Sequence, residues 1–200
     1  MDQKKAKYTF VLEKPDNLVE MFEAAVAKFG AKNWMGTKNA SGAYEWVTYS
    51  QVAKRVDNLR AGLASLGVGK GDSVGIIDNN SVAWATACYA TYGLCAQFVP
   101  MYKNELEKIW KYIITDSAVK VLFVSGEDIF GKVKDWPKEI STLKHVLMIE
   151  GSGPGTMAGL EEVGGKNPVK AQYPAADDIA GLIYTSGTTG DPKGVLLAHG

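Results

Sequence analysis

Short apolar runs recur along the chain at 73–77, 96–100, 119–124, 145–149 and 179–184, and segments with apolar residues at helical spacing lie between them. That alternation predicts buried strands joined by crossover helices, hence an α/β fold: a mostly parallel sheet with helices on its faces. Val52, Val56, Leu59, Leu63 and Leu66 share one helical face behind a Ser50 cap, and Gly67 supplies the left-handed stop. Asn17 with Glu20, and Asn104 with Glu107, have capping-box spacing and open helices with the stripes Leu18/Phe22/Val26/Phe29 and Leu106/Ile109/Ile113. Between the first two helices, residues 33–49 predict a hairpin turning at Asn39-Ala40-Ser41-Gly42.

The stretch from Gly151 to Gly165 is glycine-rich. Gly153-Pro154-Gly155-Thr156-Met157-Ala158 fits the GxGxxA form of a dinucleotide fingerprint, but Pro154 removes a donor. Gly159, Gly164 and Gly165 leave little room for the helix that fingerprint needs, so the segment is expected to be a surface loop. Residues 168–177 read as an extended connector inside one domain, with the strand at Ile179 rejoining the same sheet.

From Asn79 to Tyr102 no side chain is charged, long enough to raise the question of a membrane span. Asn79, Asn80, Ser81, Thr86, Thr91, Gly93, Gln97 and Pro100 interrupt it, and its pattern turns from helix-like to strand-like near Gly93, which predicts a buried helix and strand. No signal-peptide core follows the charged start, so residues 1–16 read as a solvated tail and the expected location is cytoplasmic. Peripheral contact with a membrane stays compatible with this reading.

Lys+Arg and Asp+Glu number 22 each among 200 residues, so no whole-protein field exists to hold nucleic acid. Cys88 and Cys95 are the only cysteines, without a CxxC pattern or a neighbouring histidine, and are expected as reduced, buried thiols. His145 and His199 lie in or beside apolar strands and read as core or edge residues, while Trp84, Tyr89 and Tyr92 fall at helical intervals and should pack the core.

The densest chemistry is Tyr184-Thr185-Ser186-Gly187-Thr188-Thr189-Gly190-Asp191-Pro192-Lys193-Gly194-Val195. Glycines let backbone N–H groups approach a phosphate chain closely, the hydroxyls of Thr185, Ser186, Thr188 and Thr189 add donors, and Lys193 adds a compact positive charge. Each hydrogen bond to a charged oxygen is worth about 1.5–3 kcal/mol, so several together can hold a triphosphate. A mobile, solvated Gly/Ser loop is the bland alternative, against which stand the preceding strand, the terminal lysine and the stiffening Pro192. A Walker A loop fails here, because Pro192 occupies its second glycine position and Gly194 follows the lysine where Ser or Thr is required.

The string YTSGTTGDPKGV resembles the phosphate-binding signature of the AMP-forming acyl-CoA synthetases, within the adenylate-forming superfamily. Val47-Thr48-Tyr49-Ser50-Gln51-Val52, Gly67 to Val74, and Gly93 through Val99-Pro100-Met101-Tyr102 are similar to that family in the same order, so the likeness runs from about Asn17 to Gly200. Val99 to Tyr102, the Asn80 and Trp84 pair and Gly-Asp-Pro-Lys in the loop look most similar to the long-chain fatty acyl type.

The resemblance implies ATP-dependent activation of a carboxylic acid, a fatty acid, through an acyl-adenylate to a coenzyme A thioester, with Mg²⁺ bridging the phosphates. It implies that Thr185, Ser186, Gly187, Thr188, Thr189, Gly190 and Lys193 hold the β- and γ-phosphates. It assigns neither a catalytic residue nor a metal ligand to this portion. It also implies that 17–200 is the N-terminal part of the AMP-binding domain, the N-terminal subdomain of an adenylate-forming enzyme, and inactive alone as a ligase. Two other readings stay open: a non-catalytic phosphate-binding or partner-docking module, and an acyl-AMP-forming or peptide-synthetase relative that does not use coenzyme A.

Overall fold

A computed structural model describes residues 14–185 and 192–200. The first helix, α1 (Leu18–Phe29), starts where the Asn17 side chain accepts from the amides of Val19 at 3.1 Å and Glu20 at 2.9 Å. The Glu20 carboxylate accepts instead from the Asp16 amide, so the capping box closes one residue early. Strands β1 (Asn33–Lys38) and β2 (Tyr44–Thr48) form the expected hairpin, closed at Asn39 and Ala43 with Gly42 at φ 82°.

Helix α2 (Tyr49–Ser65) is capped by Thr48, not Ser50. Thr48 is extended at the boundary and trades hydrogen bonds with Gln51 in a full capping box, leaving Ser50 inside the first turn. Gly67, at φ 78°, ends it in the left-handed conformation as expected.

The main sheet holds β3 (Ser73–Ile77), β4 (Gln97–Met101), β5 (Val119–Val124), β6 (His145–Met148), β7 (Ile179–Thr185) and β8 (Lys193–Ala198) in the order β6-β5-β3-β4-β7-β8. All neighbours are parallel except the β7–β8 hairpin. Every residue of β3 is buried, which is why that strand reads as a continuous apolar run rather than an alternating one. Helix α3 (Val82–Tyr92) packs on one face with α1 and α2, whereas α4 (Glu107–Asp116) and α5 (Glu127–Val133) pack on the other. No helix among the described residues is long and apolar enough to cross a membrane.

Two further sequence expectations fail at helices. Asn104 does not cap α4, because the Glu105 amide turns back onto the Tyr102 carbonyl and leaves Leu106, 63% exposed, at the boundary. The buried stripe is accordingly Trp110, Ile113 and Ile114. The glycine-rich segment is not all loop: residues from Met157 to Lys166 form α6, capped by Thr156. Its glycines are there for close approach. A Cβ on Gly164 would sit 1.9 Å from the Asn58 carbonyl oxygen of α2, and one on Gly62 would sit 2.5 Å from that of Leu160.

The connector before β7 stays within the domain, held where the Arg60 guanidinium donates to the Val169 carbonyl and the Gln172 amide to that of Gly93. Cys88 and Cys95 are free and buried, and burial pushes the Cys88 thiol up to about 12, so it stays protonated.

Candidate functional site

The parallel strands all end on one edge of the sheet, and the chain leaves that edge in opposite directions. After β3 it passes to α3 on one face; after β4 it passes to α4 on the other. Such a switch point leaves a crevice beyond the strand ends, the usual place for a ligand in an open α/β sheet.

The crevice is present and is lined in part by the next strand, β7. Between β4 and β7 the ladder registers at Phe98↔Gly181, whereas β3 and β4 stay paired from Ser73↔Gln97 to Ile77↔Met101. Pro100, two residues past the Phe98 rung, has no N–H to offer a neighbouring strand. The cavity of about 320 Å³ is walled by Trp84, Pro100, Met101, Ile109, Ile113 and Ile183. Asp78, Asn80, Tyr102 and Glu105 supply its polar side, and Tyr184 and Pro192 bring in the hairpin.

Local hydrogen bonds set these walls. The Ser81 hydroxyl donates to the Asp78 carboxylate at 2.6 Å and accepts from the Trp84 amide at 3.0 Å, capping α3 and fixing where the indole starts. The indole then meets Phe98 edge to face at 5.0 Å. The Trp110 indole N–H donates to the Tyr102 carbonyl at 2.8 Å and holds the loop after β4 against α4.

The hairpin closes the two ends of the predicted phosphate loop on each other. Thr185 pairs with Lys193 as the last rung of β7–β8, and both residues are exposed. Paired residues share a face of the sheet, so hydroxyl and ammonium stand on the same side at the base of the loop. Ser186, Gly187, Thr188, Thr189 and Gly190 lie outside the described residues.

Just inside that rung, the Tyr184 hydroxyl donates to the Asp116 carboxylate at 2.5 Å. Burial first, and then this carboxylate, push the phenol well above its ordinary value, so it remains a donor at neutral pH.

Among the described residues no cluster of three His, Cys, Asp or Glu side chains could cage a metal ion. Mg²⁺ bound through substrate phosphates and water needs no such cage, and the loop's hydroxyls and lysine suit an anionic partner. The opposite end of β8 is different: His199 is 5% exposed, and neither ring nitrogen has a partner among the described residues. Burial holds that imidazole below its usual range, as for a core residue.

The sequence singled out Asn80, Trp84 and Val99 to Tyr102 by resemblance, and the structure brings Asn80, Trp84, Pro100, Met101 and Tyr102 to one crevice. Sequence reasoning missed Asp78, Glu105, Ile109, Ile113 and the Tyr184–Asp116 pair. The available signal was positional, since residues just past the ends of parallel strands are the ones a switch point gathers. The pairing of Tyr184 with Asp116 leaves no trace in spacing.

The family described as AMP-binding enzyme matches residues 22–200. Fatty acyl-CoA synthetase A of Dictyostelium discoideum is 28% identical over 172 residues, covering 79% of this chain and 25% of that protein. The long-chain-fatty-acid–CoA ligase FadD15 of Mycobacterium bovis is 34% identical over 163 residues, 79% of this chain and 27% of its own length. Among solved structures, the anthranilate CoA ligase AuaEII in complex with anthranoyl-AMP superposes with a TM-score of 0.79 at 26% identity, covering 93% of this chain and 36% of that one. The chain thus spans about a quarter to a third of the length of the curated relatives it matches.

Proposed function

Because the chain belongs to the AMP-binding enzyme family, we propose that it is the phosphate-gripping portion of an ATP-dependent acid–thiol ligase that makes an acyl-coenzyme A, with a fatty acid as substrate. The observation that carries this reading is the Thr185–Lys193 rung, which closes a loop of hydroxyl and glycine residues beside an apolar crevice. A ligand set with a polyanionic part and an apolar part fits that pairing. The similarity to a ligase seen with an acyl-adenylate, anthranoyl-AMP, supports the same chemistry.

In the first step a carboxylate oxygen of the acid attacks the α-phosphorus of ATP, the bond to the β-phosphate oxygen breaks, and pyrophosphate leaves. No general base is needed, since a carboxylate with a pKa near ~4 is already ionised at neutral pH. Negative charge grows on the departing pyrophosphate. There Thr185, Ser186, Gly187, Thr188, Thr189, Gly190 and Lys193 hold the β- and γ-phosphates and stabilise that charge; Mg²⁺, when bound with the nucleotide, would supply further neutralisation. In the second step the coenzyme A sulfur attacks the acyl carbon and AMP leaves.

Residues 17–200 then form the N-terminal part of the AMP-binding domain and act in the cytoplasm. Alone they hold phosphates without ligase turnover. In the full-length protein, acid-dependent exchange of labelled pyrophosphate into ATP is expected, and Lys193→Ala should slow it roughly tenfold or more by removing a charged donor. Absence of exchange with acids of every chain length would overturn the reading.

A further inference from the structure

We propose that Tyr184 is a positioning residue for the phosphate loop: its hydroxyl, latched to Asp116 of α4, sets how the β7–β8 hairpin presents Thr185 and Lys193. The proposal rests on the reading of that loop as a polyphosphate grip.

The hairpin needs such a device. Its rung to β4 is at Phe98↔Gly181 and every residue of β8 is exposed, so its loop end is held by the β7–β8 ladder and by Leu182 and Tyr184, which pack against the cluster of α4 and α5. Tyr184 lies one rung inside Thr185↔Lys193 and reaches across to α4, with its hydroxyl 2.5 Å from Asp116 and its ring edge-on to Tyr112 at 6.4 Å. The same ring backs the partner strand. A Cβ on Gly194 would lie 3.1 Å from a ring carbon, so the ring lies close against both strands of the hairpin.

Helix α4 is a fitting anchor. Its Trp110 holds Tyr102 at the crevice, so one helix ties the crevice wall and the loop base into a single frame. A hydroxyl donating to a carboxylate is a charge-assisted bond with a narrow geometry, and shifts of about 1 Å matter where phosphates must be met by several donors at once.

The test uses the 200-residue chain. Mg·ATP binding is measured by calorimetry, and amide exchange at Thr185 and Lys193 is followed without nucleotide, for the native chain, Tyr184→Phe, Asp116→Ala, Asp116→Asn and the Tyr184→Phe/Asp116→Ala double variant. Tyr184→Phe keeps the ring packing and removes only the donor. It and Asp116→Ala should each weaken ATP binding and speed exchange roughly three- to tenfold, with the double variant no worse than either single one. Asp116→Asn, which retains an acceptor oxygen, should recover most of the loss.

Effects of the two single variants that add, or native binding and exchange in Tyr184→Phe, would overturn the latch. If the native chain bound no ATP while Tyr184→Phe still exchanged faster, the polyphosphate reading would fall and the latch would stand. Native ATP binding left unchanged in Tyr184→Phe would fell the latch alone.

Discussion

The centre of the sheet and its β7–β8 margin are built on opposite terms. In β3 all five residues are buried between helices on both faces, and Leu59 and Leu63 of α2 are wholly enclosed over it. In β8 all six residues are exposed, with Val195, Leu196 and Leu197 at 46%, 60% and 47%. The centre is held by packing that no single contact dominates. The margin is held by its own hairpin ladder, the rung at Gly181 and the Tyr184–Asp116 bond, which leaves the loop end free to be tuned by a few side chains.

The comparison can be broken at either pole. The largest effect is expected in the centre: Leu63→Ala leaves a cavity under α2 and should cost about 2–5 kcal/mol of stability, read as a shifted denaturant midpoint with an unchanged slope. A cost below about 1 kcal/mol there would show that the centre is loosely packed after all. The smallest is expected at the margin, where Leu196→Ser should change folding stability by less than about 0.5 kcal/mol. It should also reduce self-association seen by sedimentation, since an edge strand with the exposed apolar run Val195-Leu196-Leu197 invites pairing. A large loss of stability from Leu196→Ser would place β8 in the core.

What the sequence disclosed follows the same division. Strands buried on both faces appear as apolar runs, so β3 and β5 were legible; β7, buried only at Ala180 and Gly181, was legible from its run of apolar residues, as was the connector's return to one sheet. Helix α6 was not, because its glycines at 159, 164 and 165 lower helix propensity while serving a tertiary need, the close approach of Gly164 and Gly165 to Asn58 of α2 and of Gly159 to Gly153. The α4 cap misled for a similar reason: Asn104 has the right spacing, but the chain spends it in a turn held from Tyr102.

At the site, residue type marked the phosphate loop, and resemblance marked Asn80, Trp84 and Pro100 to Tyr102. The crevice that unites them lies where the ends of β3, β4 and β7 meet α3 and α4, a fact of tertiary geometry. Tyr184 was legible as the residue before the loop, and its partner Asp116 was not, since the two are 68 positions apart.

The most direct test of the phosphate grip is a titration of the isotope-labelled chain with Mg·pyrophosphate, following backbone amide resonances. Saturable shifts concentrated on residues 185–194 and abolished by Lys193→Ala are expected. A spectrum that stays unmoved, or shifts scattered evenly over the surface and indifferent to Lys193→Ala, would contradict the account.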